Sequence, residues 1–235
     1  MGSLLIEVRD VVKDFRGLRP LRVQLLELHE QQSIALLGFD QNLAEVLVNL
    51  LTGAILPDTG TIDVFGQRTS AIPHAEAWVQ TLDQFGLISE RAVILDQLTT
   101  RKNLALPLTL RIETMPDEVR EQVRSIAEEV GLSEEDLETP VTSLPPLSRQ
   151  RLRLGRALAL SPRVLLAEHP NAPLSPEDTQ VFATVFARIV RLRRIAALVL
   201  TANREFATAI SSDVRTLQPA TGGLQPLAMW RRWLS

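Results

Sequence analysis

Glu168 and His169 form the side-chain pair in this sequence that is best suited to proton transfer. A carboxylate beside an imidazole serves as a general acid–base pair when a pocket aligns the two groups. The pair follows residues 163–167, a short apolar run that is typical of a buried strand. Because adjacent side chains on a strand point to opposite faces of the sheet, we expect a position that has lost its chemistry rather than a working dyad.

The composition excludes several other kinds of site. The 235 residues include no Cys, which excludes disulfides, thiolate zinc sites and a Cys nucleophile, and only 3 scattered His. The 25 Lys and Arg against 28 Asp and Glu give a net charge of −3, so no nucleic-acid partner is expected. No apolar run approaches the roughly 18 residues of a membrane span, and no secretory signal is recognisable, so we expect a reduced, cytoplasmic setting.

Two groups of basic residues remain without an assigned chemistry. Arginines at spacings of two and three do not form one helical stripe and are predicted to be solvated surface; they are Arg149, Arg151, Arg153 and Arg156. Residues 230–233, Trp-Arg-Arg-Trp, have two open interpretations. They pack on the domain, or they contact a membrane surface or a partner.

The patterning of apolar residues predicts a mixed α/β chain. Runs without alternation predict buried parallel strands at residues 33–37, 163–167 and 195–200. Runs with more alternation predict an antiparallel sheet from residues 5–12, 22–28 and 61–65. Helices are predicted at residues 117–130, at residues 148–160, and from a Ser175 cap to about residue 193.

Several sequence segments resemble motifs of the ATP-binding cassette (ABC) ATPase family and occur in the same order. Residues 34–53 (IALLGFDQNLAEVLVNLLTG) are similar to the strand, phosphate loop and first helix of such a cassette. Residues 57–66, 98–108 and 149–158 resemble its following segments, and residues 161–168 resemble its Walker B strand. The resemblance covers residues 4–215, and residues 98–108 look most like the lipoprotein-release and macrolide-export type.

The resemblance implies a P-loop NTPase-like fold in a single cassette domain. Its parallel core sheet would be flanked by helices, with an antiparallel β subdomain and a helical subdomain. Residues 1–83 and 147–220 would form the core and β subdomain, residues 84–146 the helical subdomain, and residues 221–235 a C-terminal tail.

The phosphate loop of the family falls on Gly38, Phe39, Asp40, Gln41, Asn42, Leu43, Ala44, Glu45 and Val46. A working loop needs Gly where backbone N–H groups meet phosphates, a Lys on the phosphates, and a Ser or Thr on Mg²⁺. The inner Gly positions hold Gln41 and Leu43, and the Lys position holds Ala44. The Ser/Thr positions hold Glu45 and Val46. The loop has therefore lost its cation and gained an anion.

The other positions implied by the resemblance are altered in the same way. The family's signature motif falls on Leu144, Pro145, Pro146, Leu147 and Ser148. Glu168 replaces the Walker B Asp and could still reach a metal ion, while His169 replaces the catalytic Glu. Ala202 replaces the switch His, and Glu90 replaces the Gln of the glutamine loop. Phe15 is the candidate for stacking on adenine.

Together these positions predict a cassette subunit that is a pseudo-ATPase, with weak or absent binding of ATP and Mg²⁺. The family implies a membrane permease as partner, a homodimer or a heterodimer with another cassette, and a peripheral position on the inner face of the plasma membrane. The alternatives are an atypical but functional ATP-binding ABC ATPase, and a partner-binding domain that works without a transporter.

Overall fold

The computed structural model describes residues 2–15 and 19–227. The strands are β1 Leu4–Lys13, β2 Leu21–His29, β3 Ser33–Leu37, β4 Thr59–Val64, β5 Gln67–Arg68, β6 Phe85–Ile88, β7 Val164–Glu168, β8 Ala196–Leu200, β9 Asp213–Gln218 and β10 Gly223–Pro226. The α-helices are α1 Gln41–Leu51, α2 Ala75–Leu82, α3 Thr100–Ala105, α4 Asp117–Val130, α5 Glu134–Glu138, α6 Pro146–Leu158, α7 Pro176–Arg193 and α8 Arg204–Ile210.

A six-stranded sheet in the order β10-β9-β3-β8-β7-β6 forms the centre of the molecule. Its strands are parallel except for β10, which pairs antiparallel with β9. The strands predicted at residues 33–37, 163–167 and 195–200 are β3, β7 and β8, with bounds that agree within one residue. Every side chain of β7 and β8 is buried, which explains why their sequences do not alternate.

Two hydrophobic cores cover the two faces of this sheet. Because successive strand side chains point to opposite faces, Leu36 and Leu198 join a core with α1 and the β subdomain. Ala35 and Val199 join a second core with the helices α4, α6, α7 and α8. The sheet is thereby held from both sides, which fixes the positions of its strand ends.

The β subdomain is an antiparallel sheet in the order β2-β1-β4-β5, and it contains the strands predicted from alternation. Gly60 in β4 has a φ of +83°, and a Cβ there would lie 2.4 Å from the carbonyl oxygen of Asp10. Only glycine permits this approach, next to the register shift between Arg9 and Val12.

The helix predictions agree with α4, α6 and α7. Helix α4 ends at Gly131, which adopts the left-handed conformation with a φ of 83°. Helix α7 begins after Ser175, whose hydroxyl accepts from the Asp178 amide at 3.1 Å. Helix α6 begins at Pro146 rather than at residue 148, because a proline in the first turn needs no N–H partner.

The strand β6 lies inside the range predicted for the helical subdomain, residues 84–146, yet it pairs with β7 in the central sheet. Helices α3, α4 and α5 follow β6, and α6 starts one residue before the predicted return to the core at residue 147. Within the predicted tail, residues 221–235, β10 extends the central sheet, and the basic aromatic residues 230–233 lie outside the described residues.

None of the helices among residues 2–15 and 19–227 is long and apolar enough to cross a membrane. The carboxyl ends of β3, β8, β7 and β6 meet along one edge of the central sheet. In open α/β sheets this edge is where ligands bind. The loops that follow these strands carry most of the predicted site residues.

Candidate functional site

The segment after β3 forms the N-terminus of α1. Asp40 caps the helix: its Oδ1 accepts from the Leu43 amide at 2.8 Å, and its carbonyl oxygen accepts from the Ala44 amide at 2.9 Å. A helix N-terminus attracts anions through its free N–H groups and its dipole. Here the aspartate carboxylate already takes that place.

The remaining residues of the predicted phosphate loop split between solvent and core. Gln41 and Asn42 are exposed, whereas Phe39 and Val46 are buried. Ala44, at the position of the family Lys, is 0% exposed and belongs to the core beneath α1. No cationic side chain therefore comes from the described part of this loop.

A cleft of about 740 Å³ lies beside this loop. It is lined by Phe15, Arg19, Pro20, Leu21, Arg22, Asp40, Asn42, Leu43, Leu217 and Pro219. Phe15, predicted to stack on adenine, is half-buried and lies in this cleft. The cleft thus combines an aromatic ring and two guanidinium groups with the Asp40 carboxylate.

Glu168, at the end of β7, has a side chain only 1% exposed. Arg91 forms an ion pair with it through Nη2 to Oε1 and donates from Nε to Oε2 at 3.3 Å. The Ser89 hydroxyl donates to the same Oε2 at 2.8 Å. Both oxygens of this carboxylate are therefore engaged by the segment after β6.

The same guanidinium reaches α1. Arg91 Nη1 lies 3.5 Å from the carboxylate of Glu45 and donates to Asn49 Oδ1 at 3.3 Å. The residues present do not fit Mg²⁺, because a cationic side chain stands between the two carboxylates that would receive the ion. Within residues 2–15 and 19–227, no group of three or more His, Cys, Asp or Glu side chains is arranged to hold a metal.

Glu90, at the predicted glutamine position, faces α6 instead of the phosphate loop. Its carboxylate pairs with Arg153 Nη2 at 2.8 Å and accepts from Gln150 Nε2 at 3.0 Å. The site contacts come from its neighbours Ser89 and Arg91, which the sequence reasoning missed. A signal was present in the sequence, because Arg91 follows the predicted glutamine position by one residue.

The arginines of α6 were predicted to be solvated surface, and this prediction is wrong for Arg153. Its side chain is 8% exposed, and its Nη1 donates to the Ser89 carbonyl oxygen at 2.6 Å. Burial lowers the pKa of the Arg153 guanidinium, against the opposing charge of Glu90. The neighbouring Arg149 and Arg151 are tied to the backbone, donating to Val141 and Gly131 carbonyl oxygens at 3.0 and 2.8 Å.

His169 does not join Glu168 in an acid–base pair. Its backbone has a φ of 44°, its amide donates to Leu200 at 2.8 Å, and its buried Nε2 has no hydrogen-bond partner among the described residues. Ala202, after β8, is exposed and carries only a methyl group. The neighbouring Thr201 hydroxyl donates to Asn171 Oδ1 at 2.8 Å.

The residues at the signature position form the start of α6. Leu144 and Ser148 are buried, Leu147 is half-buried, and Pro145 and Pro146 are exposed. Pro145 is the N-cap and makes no side-chain cap bond. Because proline has no N–H, two donors are missing at the exposed end of this helix.

The comparisons with known proteins agree with this architecture. The family model described as ABC transporter matches residues 26–172. The ABC transporter ATP-binding protein YtrE of Bacillus subtilis (strain 168) is 31% identical over 163 residues, 69% of each chain. The lipoprotein-releasing system ATP-binding protein LolD of Acinetobacter baylyi is 24% identical over 216 residues, 90% of this chain and 94% of the relative.

A solved structure of similar fold is the dimeric ATP-binding cassette MJ0796 in a post-hydrolysis state, bound to ADP and Pi. It has a TM-score of 0.78 at 18% identity and covers 94% of this chain and 96% of its own. The central sheet, the β subdomain and the family match agree, and the chain therefore belongs to the ABC transporter family and has the ATP-binding cassette fold.

Proposed function

We propose that this chain is a cassette subunit that has lost catalysis and serves a structural or regulatory role on a membrane permease, at the cytoplasmic face of the plasma membrane. The observation that carries the proposal is the Asp40 carboxylate, which caps the N-terminus of α1 by accepting from the Leu43 amide at 2.8 Å. The phosphates of a nucleoside triphosphate placed there would be repelled by this carboxylate, which already occupies the N-terminus of the helix.

Typical interaction energies support the proposed loss of phosphate binding by this loop. A hydrogen bond to a charged group contributes about 1.5–3 kcal/mol, and the buried Ala44 supplies none. Two like charges about 4 Å apart repel by about 4 kcal/mol at an effective dielectric of 20. Both effects weaken phosphate binding, so binding of ATP with Mg²⁺ is proposed to be weak or absent.

The signature position extends the proposal to the dimer. In the family, each composite site takes its phosphate loop from one subunit and its signature from the other. Pro145 and Pro146 lack two backbone donors that the signature would supply. The Asp40 carboxylate takes the anion position at the phosphate loop. Neither a homodimer nor a heterodimer with an intact cassette would then have a fully active site that uses this chain. A mixed dimer that hydrolyses ATP at the normal rate through this signature would contradict the proposal.

A groove between β6 and α6 supports a permease partner. It encloses about 200 Å³ and is lined by Phe85, Gly86, Leu87, Ala92, Ile94, Pro107, Arg153, Arg156, Ala157 and Leu160. Its rim exposes apolar surface on Leu87 (37%) and Leu160 (49%) beside Val93 (69%). An amphipathic helix lays its apolar side into such a groove. The name of the LolD relative points to the lipoprotein-release type of transporter, and we extend that type to this chain as a proposal.

Isothermal titration calorimetry with MgATP tests the loss of nucleotide binding. We expect no heat beyond dilution when the full chain is titrated to millimolar MgATP, with an active cassette as positive control. Micromolar affinity would contradict the proposal, because it would show that the loop binds triphosphate without a lysine.

The cleft supports a second candidate, an ABC ATPase that binds ATP through atypical contacts. Phe15 offers a stacking surface, and Arg19 and Arg22 offer cations beside the loop. In this case MgATP raises the melting temperature, and Phe15→Ala removes the increase. The variant Phe65→Ala is the matched control, because Phe65 packs on the same core but does not line the cleft.

A further inference from the structure

Arg91 joins three partners that come from distant parts of the chain. Its guanidinium contacts Glu168 at the end of β7, and Glu45 and Asn49, one helical turn apart on α1. The contact with Glu168 is side-on, with Nη2 on one carboxylate oxygen and Nε on the other. This two-point geometry gives both strength and orientation to an arginine–carboxylate pair.

Glu168 requires a cation where it lies. A carboxylate with a side chain 1% exposed is strongly disfavoured unless a positive charge and hydrogen bonds compensate for lost water. The Ser89 hydroxyl contributes one hydrogen bond at 2.8 Å, but it carries no charge. The positive charge comes from Arg91 alone among the groups that touch this carboxylate in the described structure.

The position of the guanidinium matters as much as its charge. In P-loop proteins, Mg²⁺ is held by a Ser or Thr at the start of the loop helix and by the Walker B Asp. By the resemblance of the sequence, Glu45 and Glu168 stand at those positions, and Arg91 touches both. We propose that Arg91 is the resident cation of this site: its side chain permanently takes the place of a divalent metal ion between α1 and β7.

The segment that carries Arg91 is itself fixed on its other side. Glu90 pairs with Arg153 of α6 at 2.8 Å, and Arg153 also holds the Ser89 carbonyl oxygen. Residues 89–91 therefore tie α1, β7 and α6 together without any ion from solution. Folding and stability of the chain should accordingly be independent of divalent metal.

The inference deepens the proposed loss of catalysis, and its test uses metal alone so that the two can fail separately. Mn²⁺ binding is followed by electron paramagnetic resonance in the parent, in Arg91→Gln, and in Arg91→Gln combined with Glu168→Gln. The parent is expected to bind no Mn²⁺ at this site and to melt at the same temperature with Mg²⁺ or with a chelator.

Arg91→Gln leaves two carboxylates, a hydroxyl and an amide oxygen around the vacated position, which are the oxygen ligands that Mn²⁺ accepts. We expect a gain of one Mn²⁺ site with a Kd of about 10⁻⁴ M, in the range of weak oxygen-ligand sites. The added Glu168→Gln change should abolish that site. Arg101→Gln is the matched control, because Arg101 also bridges two carboxylates, Glu134 and Glu138, but both are 67% exposed.

Three results would overturn the inference. The first is Mn²⁺ binding or stabilisation by Mg²⁺ in the parent chain that Glu168→Gln removes. The second is a folded Arg91→Gln variant that binds no Mn²⁺. The third is an Arg91→Gln variant that fails to fold even when refolded with Mn²⁺, since metal should then replace the lost charge. Folding of this variant only in the presence of metal would support the inference. Binding of ATP by the parent would contradict the proposed function and leave these metal results unchanged.

Discussion

The segment after β3 and the segment after β6 reach the same edge of the central sheet, but they bring opposite charges. The first carries Asp40 and Glu45 and, among its described residues, no cation. The second carries Arg91, which pairs with Glu45 across the gap and with the buried Glu168. Charge balance at this edge therefore depends on the second segment, and it takes the form of an internal ion pair.

The largest effect is expected when the cation of the second segment, Arg91, is removed. Arg91→Ala leaves Glu168 buried without its counter-charge, and breaking a fully buried pair costs about 3–5 kcal/mol. Because the Arg91 side chain is 38% exposed, we expect a loss of about 2–3 kcal/mol in the free energy of unfolding, measured with urea. Combining it with Glu168→Gln should recover part of that loss, and strictly additive effects would show that the two side chains do not interact.

A cation added to the first segment should not restore phosphate binding. Ala44→Lys places a long charged side chain at a position that is 0% exposed, and overpacking alone costs about 1–3 kcal/mol. We expect a lower melting temperature and no gain in MgATP binding by calorimetry. Asn42→Lys is the control, because Asn42 is exposed and its replacement should change stability by less than about 0.5 kcal/mol.

Two substitutions of Asp40, at the start of α1, separate the effect of its capping hydrogen bond from the effect of its negative charge. Asp40→Ala removes the bond to the Leu43 amide and should destabilise the chain by about 1 kcal/mol. Asp40→Asn keeps an acceptor for that amide, so its free energy of unfolding should differ from that of the parent by only about 0.3 kcal/mol. If both variants lose equal stability in thermal unfolding, the negative charge rather than the hydrogen bond stabilises the helix.

The smallest effect belongs to a carboxylate away from the edge, which serves as a reference. Asp213 accepts from Arg215 Nη2 at 2.7 Å and from Gln32 Nε2 at 3.1 Å, and the bond from Arg215 lowers its pKa despite partial burial. Because the folded pKa lies below that of the unfolded chain, its stabilisation is complete above about pH 4 and is lost as pH falls through the lowered value.

Asp213→Asn should therefore cost about 0.5–1 kcal/mol at neutral pH and flatten the acid side of the stability profile. Urea unfolding at neutral pH and below pH 4 measures the stability loss and the change in the acid dependence. A steeper acid dependence in the variant than in the parent would contradict the lowered pKa.

The sequence predicted the framework better than the site. Strands β3, β7 and β8 and helix α4 carry unbroken apolar runs or clear terminal residues, so their patterns identified them. Strand β6 was missed because it has only four residues with a glycine among them. That glycine is needed for packing, since a Cβ at Gly86 would lie 2.3 Å from the Ala157 carbonyl oxygen of α6. This contact depends on a long-range approach that no local pattern contains.

Among the site residues, those in recognised segments were predicted, whereas contacts between distant segments were missed. The resemblance to the family assigned Asp40 and Glu45 to the phosphate loop and Glu168 to the Walker B position, because the strands next to them were recognised. It did not find the ion pair of Arg91, because that pair joins segments 46 and 77 residues away in the chain. The burial of Arg153 was missed for the same reason, since its partners Ser89 and Glu90 lie across the fold. The chemical roles of Phe15, Glu90 and Ala202 stay predictions.

A cation that is part of the polypeptide has a local concentration set by the geometry of the chain. In the role proposed for it, Arg91 stays next to Glu168 whether the surrounding solution is rich or poor in magnesium. The groove beside α6, which shares Arg153 with the segment after β6, is then offered to a partner in one constant form. Under the proposed function, such a subunit would report to its partner by its abundance alone, because a change in nucleotide supply would leave the groove unchanged.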